Sequence, residues 1–306
     1  MEEKIQDGAL CSLKKSKFVR TVFLRIILII LIVIIAVIAI VFFFFTSEIR
    51  NSILSERQKQ LDVINDTISE RMEAATSIAY NIGTDESFYL ESVEKEKYSG
   101  TVMSKTLERY LVGNDFIEHL AYYRISDPDV LYTSKGEISF IDFLCSFMRF
   151  DQTTAQTCID EIQSTNKVVV KSFLSEKAER HYFTYLCPLP QFSKNPQAFV
   201  IMLIPEHVLS DVLETQLMHY TGEVLIYNAL GEELYKISNL TKDIPLSLSE
   251  LNASETLVID GSRYMIQKSV SDSNGWTYVS IIRMSDIISG VAQKQIIFIV
   301  LLLILM

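Results

Sequence analysis

The chain has 306 residues at net −10, and the first 25 carry six cations against three acids, so everything after them sits at −13. An acidic body of that kind excludes nucleic acid as a partner of residues 1–306 and disfavours anionic lipid surfaces. No G-x-S-x-G, H-E-x-x-H, P-loop or dinucleotide fingerprint is present, so the residues point to binding rather than catalysis, with no enzyme activity, cofactor or metal implied.

Residues 1–25 precede a run of twenty, Ile26 to Phe45, without a charge, amide, Gly or Pro. At about 1.5 Å per residue a helix of that length spans the roughly 30 Å hydrocarbon core of a bilayer. The basic flank predicts a cytoplasmic N-terminus, with residues 47–294 outside the plasma membrane. A cleaved signal peptide is the competing reading; the apolar run is too long for one, and no small-residue cleavage site follows Phe45.

From residue 46 to residue 82 apolar residues recur at Leu54, Leu61, Ile64, Ile68, Met72, Ala75, Ala79 and Ile82. The spacing near 3.5 predicts one long helix continuous with the membrane segment, packed on its own domain. Ile49 and Ile53, beside Leu54, form a second apolar edge suited to a parallel homodimer near the membrane. Gly83 ends the helix, and a second helix closes at Gly113.

The period then changes to extended. Strands are expected at 117–126, 130–134, 167–173, 182–186 and 198–204, with a turn at Asp127-Pro128-Asp129 and a mainly helical insert over 140–164. Pro205 is placed at the first turn of a further helix. A second series follows at 223–228, 233–237, 256–260, 263–270 and 276–283, joined by turns at Gly231, Gly261 and Gly275. The fold class is therefore α+β, with two antiparallel sheets in succession. From Met284 a helix returns towards an apolar run at 296–306. Being eleven residues long, that run reads as the start of a second, truncated membrane span.

Cys11 lies in the N-terminal segment. Cys145, Cys158 and Cys187 read as small buried hydrophobes, with a Cys145–Cys158 bridge as the alternative. The four histidines never fall at i, i+3 or i+4, which argues against a metal site. The sequons at Asn65, Asn239 and Asn252 have meaning only in a glycosylating pathway.

GEVLIYNALGEEL (222–234) looks like the opening hairpin of a Cache subdomain, and SDSNGWTYVSIIRMSDI (271–287) like its closing strand. YYRISDPDVLYTSKG (122–136) and the helix LDVINDTISERMEAATSIAYNI (61–82) resemble the extracellular sensors of Firmicute AraC-type transcriptional regulators and YesM-like sensor kinases. The whole arrangement resembles a double Cache sensor. The resemblance implies two tandem PAS-like subdomains, membrane-distal over 83–220 and membrane-proximal over 221–284, with 285–306 returning to the bilayer. It also implies a sensor of small molecules working as a two-fold pair, with a cytoplasmic DNA-binding output of the AraC type. A histidine kinase or chemoreceptor is the alternative output, and an interaction protein without a small-molecule ligand the alternative class. The amino-acid-binding members carry an Arg-rich, Trp-containing distal motif; here Arg124 stands without a nearby Trp. Residues that could line a distal pocket are Tyr123, Arg124, Tyr132, Lys171, Tyr182 and Tyr185, aromatic or cationic groups on the distal strands. Trp276 is assigned to the proximal core.

Overall fold

The computed structural model describes residues 2–88, 99–175, 180–191, 193–217, 220–240 and 248–289. Inter-residue contacts divide the chain into two units, Glu56–Asp286 and Met1–Ser55 with Ile287–Met306. Helix α1 runs unbroken from Glu2 to Thr84. In Met1–Ser55 its apolar side chains stand exposed, among them Leu28, Ile32, Val37, Phe43 and Phe44. Water does not tolerate such a surface, and by length and composition one helix among the described residues qualifies to cross a membrane. The expected second span at 296–306 lies outside the described residues; the return helix is described as far as Ser289.

In Glu56–Asp286 the helical stripe does what its period implies. Leu61, Ile64, Ile68, Met72, Ala75, Ala79 and Ile82 are all 0–4% exposed, while Lys59, Asp66, Glu70 and Glu73 on the other face are solvated. A short 3₁₀ turn, Glu86–Phe88, follows, its start held by the Asp85 carboxylate accepting from the Ser87 N–H at 2.9 Å. Helix α2 (Ser99–Leu111) leads to Gly113, whose φ of 79° is the left-handed conformation a helix C-terminus favours.

The distal sheet is built from β1 (His119–Arg124), β2 (Val130–Thr133), β3 (Gly136–Ser139), β4 (Val169–Ser175), β5 (Arg180–Leu189) and β6 (Ala198–Pro205). Its order is β3-β2-β1-β6-β5-β4, antiparallel throughout. β3 was not among the expected strands: four residues of mixed burial show no alternation. The helical insert is two helices, α3 (Phe140–Ser146) and α4 (Gln152–Ser164). They are separated at Arg149, which holds a positive φ of 54°. Ser139 caps α3, and the Asp151 carboxylate caps α4 by accepting from the Thr153 and Thr154 N–H groups. Pro205, expected at the first turn of a helix, is instead the last residue of β6, and α5 (Glu206–Leu217) starts after it. Its ring is at home there too, because a strand terminus needs no further donor.

The proximal sheet comprises β7 (Gly222–Tyr227), β8 (Glu233–Ser238), β9 (Thr256–Ile259), β10 (Ser262–Val270) and β11 (Thr277–Arg283), ordered β8-β7-β11-β10-β9. A small helix, α6 (Leu248–Asn252), flanks it. Asp260 and Gly261 take φ of 47° and 76°, the paired positive angles of the tight turn that joins β9 to β10.

One core runs along α1 and takes in one face of each sheet, with Tyr122, Tyr185 and Val200 from the distal sheet and Val224, Trp276 and Tyr278 from the proximal one. Trp276 is 5% exposed, a core residue. The other distal face packs on α3 and α4, and the other proximal face on Leu251 of α6. Where α1 crosses β10 the contact turns polar. Asn65 Nδ2 donates to Ser269 Oγ at 3.0 Å, Ser269 Oγ donates to the Asp62 carboxylate at 2.7 Å, and Ser69 and Ser271 share a hydrogen bond of 2.7 Å. Asn65, buried at 6% exposure, is not available for glycosylation. Cys145, Cys158 and Cys187 are free thiols.

Candidate functional site

The six candidate residues do not share a site, because a strand sends alternate side chains to opposite faces. Tyr123 and Tyr182 belong to the face under α3 and α4, with Tyr123 wedged between Phe140 and Phe199 and its hydroxyl accepting from Gln163 Nε2 at 2.6 Å. Lys171, opposite Thr184 in register, is paired with Glu161 of α4 at 2.8 Å. Tyr132 and Tyr185 lie in the core on the α1 face, where the Tyr185 hydroxyl donates to Thr76 Oγ1 of α1 at 3.1 Å. Arg124 is alone among the six in lining the cavity on that face, with Tyr132 beside it.

This cavity, of about 570 Å³, is walled by Ile82 and Gly83 at the end of α1, Phe88, the end of β1, Leu189-Pro190 and the start of β6. Its volume is that of a small-molecule pocket. Tyr122 precedes Arg124 by two positions, so the strand's period places both on this wall. Burial pushes the Tyr122 phenol up to about 12, and its hydroxyl donates to the Phe88 carbonyl at 3.3 Å. Tyr122 therefore contributes a neutral ring.

Arg124 gives the cavity its charge. It is 8% exposed; Nη2 donates to the Tyr132 hydroxyl at 2.6 Å, and the guanidinium stands 5.0 Å from that ring's centroid. Asp127 comes to 3.8 Å of Nη2 but is itself 41% exposed, so screening weakens the pair. Arg124 Nε is buried without a hydrogen-bond partner among the described residues. A buried cation with an unmet donor, in a mostly apolar wall where Ser126 and Gln197 are the other polar side chains besides Tyr122 among the described residues, is electrostatically suited to an anionic acceptor group carried on an apolar body. Among the described residues no carboxylate lines the cavity, so an ammonium group would find no opposite charge on that lining.

Of these lining residues only Arg124 was recognisable from sequence. Tyr122 was within reach of the same period-2 argument. Ile82, Phe88, Leu189 and Pro196 are ordinary apolar residues that chain folding alone brings together.

No protein-family model matches the sequence, and no curated protein matches it. Solved structures do match. The sensory domain of the Campylobacter jejuni chemoreceptor Tlp3 with isoleucine bound aligns at TM-score 0.52 and 11% identity, over 80% of this chain and 98% of that one. The Tlp3 ligand-binding domain in complex with L-valine gives TM-score 0.50 over the same shares, also at 11% identity. The extracellular domain of rpHK1S-Z16, described as a histidine kinase, aligns at TM-score 0.52 and 11% identity over 78% of this chain and 98% of that one. The fold is thus similar to that of these sensory domains: a long N-terminal helix carrying two antiparallel sheets in tandem. At 11% identity the likeness is one of fold.

Proposed function

We propose that the chain is the extracytoplasmic sensor of a membrane receptor and that it binds a small amphipathic carboxylate in the distal cavity. The observation that carries this reading is Arg124: a buried guanidinium, one donor unmet, in a mostly apolar cavity of about 570 Å³. The N-terminal helix anchors it, with the basic N-terminus in the cytoplasm and the sheets outside. The role is recognition rather than catalysis. Binding biases an equilibrium between two arrangements of the sensor, for which the polar contact between α1 and β10 offers an element able to re-pair its hydrogen bonds. Two copies work as a pair. Ile53 is buried in the chain while Ile49 is half-exposed, so a cysteine at Ile49 is the position to test for cross-linking between copies in membranes.

Tlp3 is solved with isoleucine and valine, yet a zwitterion has no acid to meet among the described lining residues, so the ligand proposed here carries a carboxylate without an ammonium. Thermal unfolding of the full chain with aryl and medium-chain carboxylates, the matching primary amides and L-isoleucine tests this. A carboxylate at 100-fold its Kd stabilises by about 2.7 kcal/mol. Arg124→Met removes a charge-assisted hydrogen bond of about 1.5–3 kcal/mol, weakening binding about 10- to 150-fold. A panel that shifts nothing, or amides that bind as well as acids, overturns the reading.

The output follows from what the sensor is fused to. The likeness of 61–82 and 122–136 to AraC-type sensors favours a DNA-binding output. The chemoreceptor and kinase neighbours favour the alternative, and a HAMP-like helix pair with a kinase core on the same polypeptide would decide for it.

A further inference from the structure

On the opposite face of the distal sheet lies a second cavity, of about 540 Å³, bordered by Lys135, Arg149, Arg180 and His119 with Phe147 and Tyr182. We propose that it binds a multiply charged oxyanion of the phosphate type. The argument begins with charge. Everything after residue 25 is at −13, so three cations gathered around one concavity run against the background of the body that holds them. They come from three places in the chain: the β2–β3 turn, the α3–α4 break and the first residue of β5. Among the described residues none of the three forms an ion pair. Among the described residues Glu118 is the one acid on the lining, and its carboxylate lies 3.8 Å from His119 Nε2.

The cations are also positioned. Arg180 Nε donates to the Tyr182 hydroxyl at 2.7 Å, with the guanidinium 4.4 Å over that ring. Tyr182 in turn donates to the Phe147 carbonyl at 3.2 Å, and Lys135 Nζ sits 5.8 Å from the Phe147 ring centroid. Arg149 holds its place at a φ of 54°, a conformation that costs a non-glycine residue of order 1 kcal/mol or more. Its carbonyl is held by the Ser175 hydroxyl at 3.4 Å, yet its guanidinium has no partner among the described residues. A strained arginine with a free guanidinium beside two further cations is the arrangement that recognises a planar or tetrahedral oxyanion through paired N–H donors. His119, kept neutral by burial, adds a ring nitrogen.

The test uses isothermal titration of the full chain in detergent with two probes: pyrophosphate for a free anion and short poly(glycerol phosphate) for one carried on a polymer. Whichever binds identifies the source. Binding should weaken on raising NaCl, as a site of three exposed cations requires. Arg149→Gly is the informative variant, since glycine takes the positive φ without strain: the fold should be as stable as the parent or more so, while affinity falls 10-fold or more. Arg180→Gln should act likewise, and Arg124→Met, on the other face, should leave this site intact. The proposal is overturned if neither probe binds better than chloride at equal ionic strength, or if Arg149→Gly binds like the parent.

Discussion

Ile68 sits in the middle of the α1 stripe at 1% exposure, in the same core as Met72 and Trp276. Replacing it by Ala removes three buried carbon groups, at about 0.8 kcal/mol each, or about 2.4 kcal/mol of transfer free energy. If about 50 Å³ stays unfilled, a cavity cost of about 24 cal/mol per Å³ adds about 1.2 kcal/mol. Alanine's better helix propensity returns about 0.4 kcal/mol. Packing outweighs propensity here, and the expected net loss is about 3 kcal/mol. Urea unfolding of the full chain in detergent reads this out through the fluorescence of Trp276, the sole tryptophan. Val63→Ala on the same helix, where Val63 is 62% exposed, serves as control and should change stability by under about 0.5 kcal/mol. An Ile68→Ala loss under about 1 kcal/mol, or one equal to the control's, would refute the claim that α1 is a structural wall of this core.

Three further outcomes are expected. A Cβ at Gly222 would lie 2.0 Å from the Ile281 carbonyl oxygen, backbone against backbone in adjacent strands. Gly222→Ala should therefore cost at least the roughly 1–3 kcal/mol of core overpacking, and unfolding at parental urea concentration would contradict it. Burial pushes the Cys158 thiol up to about 12 and raises Cys187 as well, whereas Cys145 is partly exposed. At pH 8, iodoacetamide followed by peptide mass mapping should thus find Cys145 alkylated first among the three, and a Cys145–Cys158 disulfide in the unreduced digest would be a refutation. Burial, ahead of the opposing effect of Glu118, lowers the pKa of His119. In the unfolded chain a histidine takes its proton near pH 6.5, so below that pH the unfolded state binds the proton first and stability falls until the folded-state pKa is passed. His119→Gln should flatten that acid-side slope between neutral pH and the folded-state pKa, and an unchanged slope would count against a buried neutral imidazole.

What the residues determine unaided is whatever depends on local period and local chemistry. The seven buried apolar positions between Leu61 and Ile82, the strands of Val and Ile, and the Asp260-Gly261 turn are written in neighbouring side chains, because helix and strand periods and positive φ angles are properties of short segments. The two-sheet α+β architecture follows from their order. Where local rules compete, sequence alone misplaces the element. Pro205 satisfies both a helix start and a strand end, and strand pairing with Tyr182 decided the matter. β3 exists because β2 offers it a ladder, not because Gly136–Ser139 favour extension. The site belongs to tertiary structure for the same reason. Tyr123 and Arg124 are neighbours in sequence, yet the pleat sends one under α3 and the other towards α1. The wall around Arg124 is assembled from residues as far apart as Ile82 and Ala198: the antiparallel pairing of β1 with β6 sets Arg124 opposite Ala198, and the packing of α1 on the sheet brings in Ile82. Burial then converts an arginine that composition would leave in water into a cation with an unmet donor, and burial is a property no single segment possesses.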